Sequence, residues 1–161
     1  MNSLDDIDVG FMKQALELAN EAARLGEVPV GAVAVKEGQI IGRGFNRREI
    51  DRDPFSHAEF NAMKEAARAV GAWRLTGVTV YVTLEPCAMC AGALVQSRVS
   101  RLVYGAMDPK AGTVGSLYNL VQDPRFNHRV EVAGGVLGEA CSQALKTFFA
   151  GLRARRDTTT E

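Results

Sequence analysis

The order of apolar and polar positions divides this chain into alternating helical and extended stretches. Over residues 12–25, Met12, Ala15, Leu16, Ala19, Ala22 and Ala23 recur with the helical period, and Gly26 ends the run. Two β-like runs follow, 28–35 and 39–45, and Lys36-Glu37-Gly38 between them reads as a hairpin turn. Gly42 and Gly44 in the second run suit an edge strand or a close approach by another backbone. A polar loop (46–53) and Pro54 lead into a second helical period over 57–70, carried by Phe60, Met63, Ala67 and Val70. The apolar run VTVYVT at 78–83 predicts a central strand, and a helix follows from near Cys87 to about Ser97. Next come a strand at 101–105, a loop with Gly112 and Gly115, a short helical turn at 116–121 and a strand at 130–132 or slightly beyond. A last helix begins near Gly138, with Cys141, Ala144, Leu145, Phe148 and Leu152 on one face.

Helices alternating with strands predict an α/β sheet covered by helices on both faces. With no repeat, low-complexity tract or Pro/Gly-rich linker, residues 1–161 read as a single domain, flexible over about 1–9 and 157–161. Apolar residues at 47% and charged residues at 24% are ordinary for a globular chain, so composition alone singles out no function. No stretch approaches the roughly 18 uninterrupted apolar residues of a membrane span. The acidic start MNSLDDIDVG lacks a secretion signal's layout, so the cytoplasm is the expected location. With 19 basic and 19 acidic residues, bulk charge neither supports nor excludes nucleic acid as a partner. Three cysteines, an odd number, argue against a disulfide framework, and the C-x-x-C spacing of Cys87 and Cys90 needs a redox or a metal explanation.

Two motifs carry the chemistry. His57-Ala58-Glu59 opens one predicted helix, and Pro86-Cys87-Ala88-Met89-Cys90 stands at a strand-to-helix junction. Together they form the H-x-E…P-C-x-x-C pattern of zinc-dependent nucleobase deaminases. Zinc takes four tetrahedral ligands from imidazole and thiolate, and a catalytic site leaves one position for water. His57, Cys87 and Cys90 supply three, and a helix N-terminus favours thiolates. Glu59 is not needed as a ligand. Its expected work is proton transfer: it takes a proton from the attacking water, protonates a ring nitrogen and helps the amine leave as ammonia. Two other readings compete. A redox C-x-x-C pair has no use for a remote His-x-Glu. A structural zinc wants a fourth protein ligand, for which only Cys141 and His128 are spare, and Cys141 lies on the apolar face of the last helix.

The stretch YVTLEPCAMCAGALVQSRVSRLVYGAMDPKAGTVGSL at 81–117 resembles bacterial tRNA-specific adenosine deaminases. So do VPVGAVAV at 28–35, FNHRVEV at 126–132 and KTFFAGLR at 146–153, and the likeness covers about residues 10–155. The zinc motif is shared with cytidine and guanine deaminases; the long middle block is more selective. The resemblance implies a three-layer α/β/α cytidine deaminase-like fold around a mixed five-stranded sheet. It implies one zinc per subunit, a homodimer, and conversion of adenosine to inosine at the wobble position of a tRNA anticodon stem-loop. A free-base or nucleoside deaminase of the guanine or cytidine type is the alternative, and a non-catalytic RNA-binding module is a third reading. Carried over by position, Val30 flanks the adenine, Asn46 hydrogen-bonds the nucleoside, and Ala58 and Leu84 to Pro86 line the pocket. Asp108 and Lys110 meet the loop backbone or ribose, and Phe148, Phe149 and Arg153 hold flanking nucleotides. Plainer roles stand beside these: strand core for Val30, packing for Phe148, a satisfied loop for Asn46, a turn at Asp108-Pro109. Arg43, Arg47 and Arg48, with Lys146, Arg153, Arg155 and Arg156, form either solvated faces or phosphate contacts. Phe55-Ser56 departs from the smaller residues usual before this histidine and is expected to reshape the entrance.

Overall fold

The fold is described from a computed structural model over residues 4–158. Five strands form one sheet in the order β2-β1-β3-β4-β5: β1 (Gly31–Lys36), β2 (Gln39–Phe45), β3 (Val78–Leu84), β4 (Arg101–Ala106) and β5 (Glu131–Ala133). β1 runs antiparallel to β2 and β3, while β3, β4 and β5 are mutually parallel, so the sheet is mixed as expected. The hairpin turn is tighter than the three-residue expectation. Lys36 pairs with Gln39, and Glu37 and Gly38 both take positive φ (51° and 76°), the two-residue turn whose twist matches the strands.

Strand alternation sorts the core into two layers. Ala32, Ala34, Val80, Val82 and Leu102 face α3 (Ala58–Val70) and α4 (Ala88–Gln96). Val33, Val35, Tyr81 and Val103 face α1 (Leu4–Arg24) and α5 (Gly138–Thr158) on the other side. Helices therefore cover both faces. The four-residue α2 (Arg48–Asp51) stands inside the stretch expected to be plain loop. It forms because the buried Glu27 carboxylate accepts hydrogen bonds from the Glu49 and Ile50 amides (2.7 and 3.1 Å), a long-range cap that local pattern cannot reveal.

Residues 4–9, expected to be flexible, are helical within α1, as are 157 and 158 within α5; residues 1–3 and 159–161 of that expectation lie outside the described residues. A tertiary ion pair holds this part of α1. Asp8 is buried, receives both guanidinium nitrogens of Arg101 from β4 at 2.7 Å and the Tyr81 hydroxyl at 2.8 Å, and so ties α1 to the sheet.

Two glycines seat the helix that matters most. β2 is an edge strand, and α3 lies directly on it. A Cβ at Gly44 would strike the Ala58 carbonyl oxygen and come within 2.6 Å of the Ala62 nitrogen; one at Gly42 would strike the Ala62 carbonyl. Both readings of these glycines, edge and close approach, hold at once.

Candidate active site

α3 and α4 begin at the same place, outside the carboxyl ends of the parallel strands β3 and β4, where α/β sheets collect ligands. His57 is the N-cap residue of α3 and Cys87 that of α4, each with extended backbone, and Cys90 lies one turn on, fully buried. The His57 Nδ1 lies 3.6 Å from the Cys87 Sγ and 3.5 Å from the Cys90 Sγ. Zinc bonds of about 2.0–2.1 Å to nitrogen and 2.3 Å to sulfur, set at the tetrahedral angle, put such donor atoms roughly 3.6 Å apart, so the three residues fit that ion. They are the only His/Cys/Asp/Glu group among the described residues gathered closely enough to hold a metal. Cys141 is buried beneath Gly105 and His128 bonds the Val99 carbonyl (2.7 Å), so neither supplies the fourth ligand of a structural site.

The electrostatics follow from the crowding. The Cys87 thiol is pulled down to about 3, first by the hydrogen bond from the Cys90 thiol and then by His57, although burial opposes this. Cys90 is pushed up by the same bond and by burial, so without a metal the pair holds one negative charge. A bound divalent cation would deprotonate both. Hydrogen bonding to the Cys87 sulfur raises His57. Glu59, 4% exposed, is raised above the usual carboxylate range, chiefly because burial penalises its charge. A carboxyl raised by burial beside a reacting centre holds a proton more readily than a surface glutamate and can pass it on.

A cavity of about 280 Å³ opens over this cluster, large enough for a nucleobase with part of its sugar. Val30, Asn46, Ala58, Leu84 and Asp108 line it, beside His57, Glu59 and Cys87. Val30 and Ala58 also belong to the core cluster, so wall and core are continuous there. The Asn46 Nδ2 reaches the Val28 carbonyl at 3.4 Å, while its buried Oδ1 has no partner among the described residues. Other expected residues are not brought to the cavity. Pro86 stands behind it, its carbonyl accepting the Thr113 amide (3.0 Å), and Lys110 only donates its amide to the Asp108 carboxylate (3.1 Å). Phe149 and Arg153 sit exposed on α5, which packs on the face of the sheet opposite α3 and α4. Phe148 packs its ring edge-on to Phe149 (5.5 Å) and lines a groove between α1 and α5. Phe55 is exposed and does not line the cavity. Its neighbour Ser56 is buried instead, donating to Asp51 (2.8 Å) and accepting from Asn61 (3.1 Å).

Two wall residues do more than the sequence reading assigned to them. Glu85, buried, turns its carboxylate onto the loop after β4: it accepts from the amides of Asp108, Val114 and Ser116 (3.0 Å each) and from the Ser116 hydroxyl. Burial alone would raise it, but these donors outweigh that and hold it below the usual range. Gly112 is required opposite, since a Cβ there would overlap that carboxylate. A lone acidic residue ending an apolar strand, with a glycine-containing loop to follow, was the available signal. Arg48 is the other: the sequence set it among basic residues of a solvated face or a phosphate contact, and no local feature separates it there from its arginine neighbours.

Comparison with known proteins agrees with this geometry. The MafB19-like deaminase profile matches residues 8–153. The chain belongs to the MafB19-like deaminase family. This deaminase is 52% identical over 146 residues to a tRNA-specific adenosine deaminase of Bacillus subtilis, covering 91% of each chain. A tRNA-specific adenosine deaminase of Haemophilus influenzae is 50% identical over 145 residues, 89% of this chain and 84% of that one. Among solved structures, a tRNA:A34 deaminase studied for A-to-I editing at the wobble position superposes with a TM-score of 0.82 at 41% identity, over 84% of this chain and 99% of that one. The deaminase fold expected from the resemblance is thus the fold observed, and the chain is an enzyme of that class.

Proposed function

We propose that this enzyme hydrolyses adenosine to inosine at the wobble position of a tRNA anticodon loop, with one zinc ion per subunit held by His57, Cys87 and Cys90. The observation that carries the reading is a raised, buried Glu59 beside a ligand triad of tetrahedral spacing, at the floor of a base-sized cavity. The names borne by the relatives supply the substrate class. When bound, zinc supplies the Lewis acidity that makes water a nucleophile near neutral pH.

The remaining work falls to the chain. A loop base splayed out of its stack enters between Val30 and Ala58, with Leu84 closing the wall. Asn46 turns its free Oδ1 to a hydroxyl or amino group of the nucleoside, which satisfies an acceptor that would otherwise cost about 1–3 kcal/mol of desolvation. The Glu59 carboxylate takes a proton from the water as oxygen bonds to C6 and passes one to ring N1. It then carries a second to the departing amine, so that adenosine and water yield inosine and ammonia. Asp108 stands at the wall beside the ribose. Pro86 shapes the backbone behind that wall, while Lys110, Phe149 and Arg153 lie outside the cavity and serve flanking nucleotides. The homodimer and the cytoplasmic setting rest on the family resemblance; no helix among the described residues is long and apolar enough to cross a membrane.

The test incubates zinc-loaded protein with an anticodon stem-loop carrying a wobble adenosine, alongside free adenosine, cytidine and guanine. Inosine formed in the RNA alone is expected. Turnover of a free base or nucleoside with the RNA untouched would keep the zinc chemistry and overturn the substrate.

A further inference from the structure

The three arginines around 43–48 are equivalent in sequence, and the structure separates them. Arg43 sits exposed on the edge strand β2, away from the cavity wall. Arg47 is committed: it pairs with Asp51 (3.1 Å) and lies over the Phe45 ring at 5.3 Å. Arg48 alone lines the cavity. Among the described residues no carboxylate within ion-pair distance claims its guanidinium. The acidic groups of the cavity face other surroundings, Asp108 through one of its two oxygens. Glu85 is occupied by loop donors, Asp108 accepts the amides of Lys110 and Ala111 (3.1 and 3.2 Å), and Glu59 is buried at the floor.

The backbone that carries Arg48 is itself anchored. Glu27, buried, caps the amides of the two residues that follow it. The arginine is thus presented from a fixed turn rather than a loose loop. An adenine ring and a ribose are both neutral and give a cation at the cavity wall nothing to pair with. A phosphate joined to that ribose does, and a planar guanidinium is matched to it.

We propose that Arg48 forms a phosphate subsite at the cavity, gripping a phosphodiester adjacent to the target nucleoside, with Glu27 as its positioning residue. The inference rests on the polynucleotide reading above and deepens it. This enzyme would then prefer a nucleotide within a strand over a free nucleoside through one identified side chain.

The experiment compares wild type, Arg48→Ala and Arg48→Lys, with Arg43→Ala as the charge control. Substrates are the wobble-adenosine stem-loop and two versions in which the phosphodiester 5′ or 3′ to that adenosine is a neutral methylphosphonate. Arg48→Ala should lower kcat/KM on the ordinary stem-loop about tenfold, mostly through KM, and reduce the salt slope by roughly 0.7–0.9. Lysine should recover part of the loss and Arg43→Ala should show little. On one of the two methylphosphonate substrates, wild type should fall to the level of Arg48→Ala and the variant should lose no more. Additive losses on both would overturn the subsite. A wild-type protein that leaves the ordinary stem-loop untouched would instead overturn the polynucleotide reading, and the subsite with it.

Discussion

Gly44→Ala is the most direct probe of how the fold sets the chemistry, because one methyl group bears on the helix that presents His57 and Glu59. The new Cβ would strike the Ala58 carbonyl oxygen and stand 2.6 Å from the Ala62 nitrogen, and ordinary contact begins at 3.4 Å, so α3 must ride off β2 by at least about 0.8 Å. Overpacking of this size costs on the order of 2 kcal/mol, which at a typical urea dependence lowers the unfolding midpoint by about 1 M. The catalytic loss should be larger in proportion. A misplacement near 1 Å costs roughly 10²-fold in rate, and here both a metal ligand and the proton carrier move relative to Cys87 and Cys90 on α4. Gly10→Ala is the matched control: it lies exposed within α1 with nothing inside 4 Å of the added Cβ, so it should gain up to about 1 kcal/mol of helix propensity and leave the rate alone. Urea unfolding, metal content and single-turnover deamination of the stem-loop measure the three quantities. If Gly44→Ala unfolds with the wild-type midpoint and reacts at the wild-type rate, the close seating of α3 does not determine the site. A lost midpoint with an unchanged rate per bound metal would refute only the catalytic half.

Four further outcomes are expected. Glu59→Ala should retain its metal yet lose at least about 10²–10⁴-fold in turnover, measured as inosine formed per metal-loaded subunit; retained deamination would remove its role as proton carrier. Chelation should abolish activity and lower the melting temperature, and returning zinc should restore both, since the His57 and cysteine ligands lie at the starts of two helices that the ion would clasp together. Glu85→Ala strips the acceptor from three amides and a hydroxyl, so a loss of about 3 kcal/mol is expected in urea, together with faster proteolysis of the 108–116 loop; wild-type protection there would show that the loop holds itself. Burial would raise Asp8, but the Arg101 guanidinium and the Tyr81 hydroxyl hold it below its ordinary 3.8. A carboxylate lowered on folding stabilises fully above the unfolded value, and that stability is lost as pH falls through the folded one. Asp8→Asn should therefore cost about 3 kcal/mol near pH 7 by stranding Arg101, and the difference should shrink below roughly pH 4. A gap independent of pH would point to packing instead of charge.

Much of this protein was legible along the chain because its signals are local. The 3.6 period of α3, the apolar run of β3 and the two glycines of β2 each report on neighbours within a few residues or on a partner that must come close. The triad was legible for a related reason: ligand chemistry restricts which residue types can hold the ion, and C-x-x-C on a first helical turn already places two of three donors. What local pattern could not reveal were interactions that cross the chain. α2 exists because Glu27 caps it from 22 residues away, the first turns of α1 are tied to the sheet because Arg101 binds Asp8 from 93 residues away, and the wall at Asp108 is held by Glu85 from 23. Each is a buried carboxylate meeting donors it could find only once the sheet had formed. The same limit applied to the basic and aromatic residues. Composition treats Arg43, Arg47 and Arg48 alike, whereas packing spends one on an aspartate, leaves one on an edge strand and sets one at the cavity. Residue type and spacing determined which reaction this chain can perform; the tertiary structure decided which side chains stand where a substrate must pass, because that depends on distances between elements far apart in sequence.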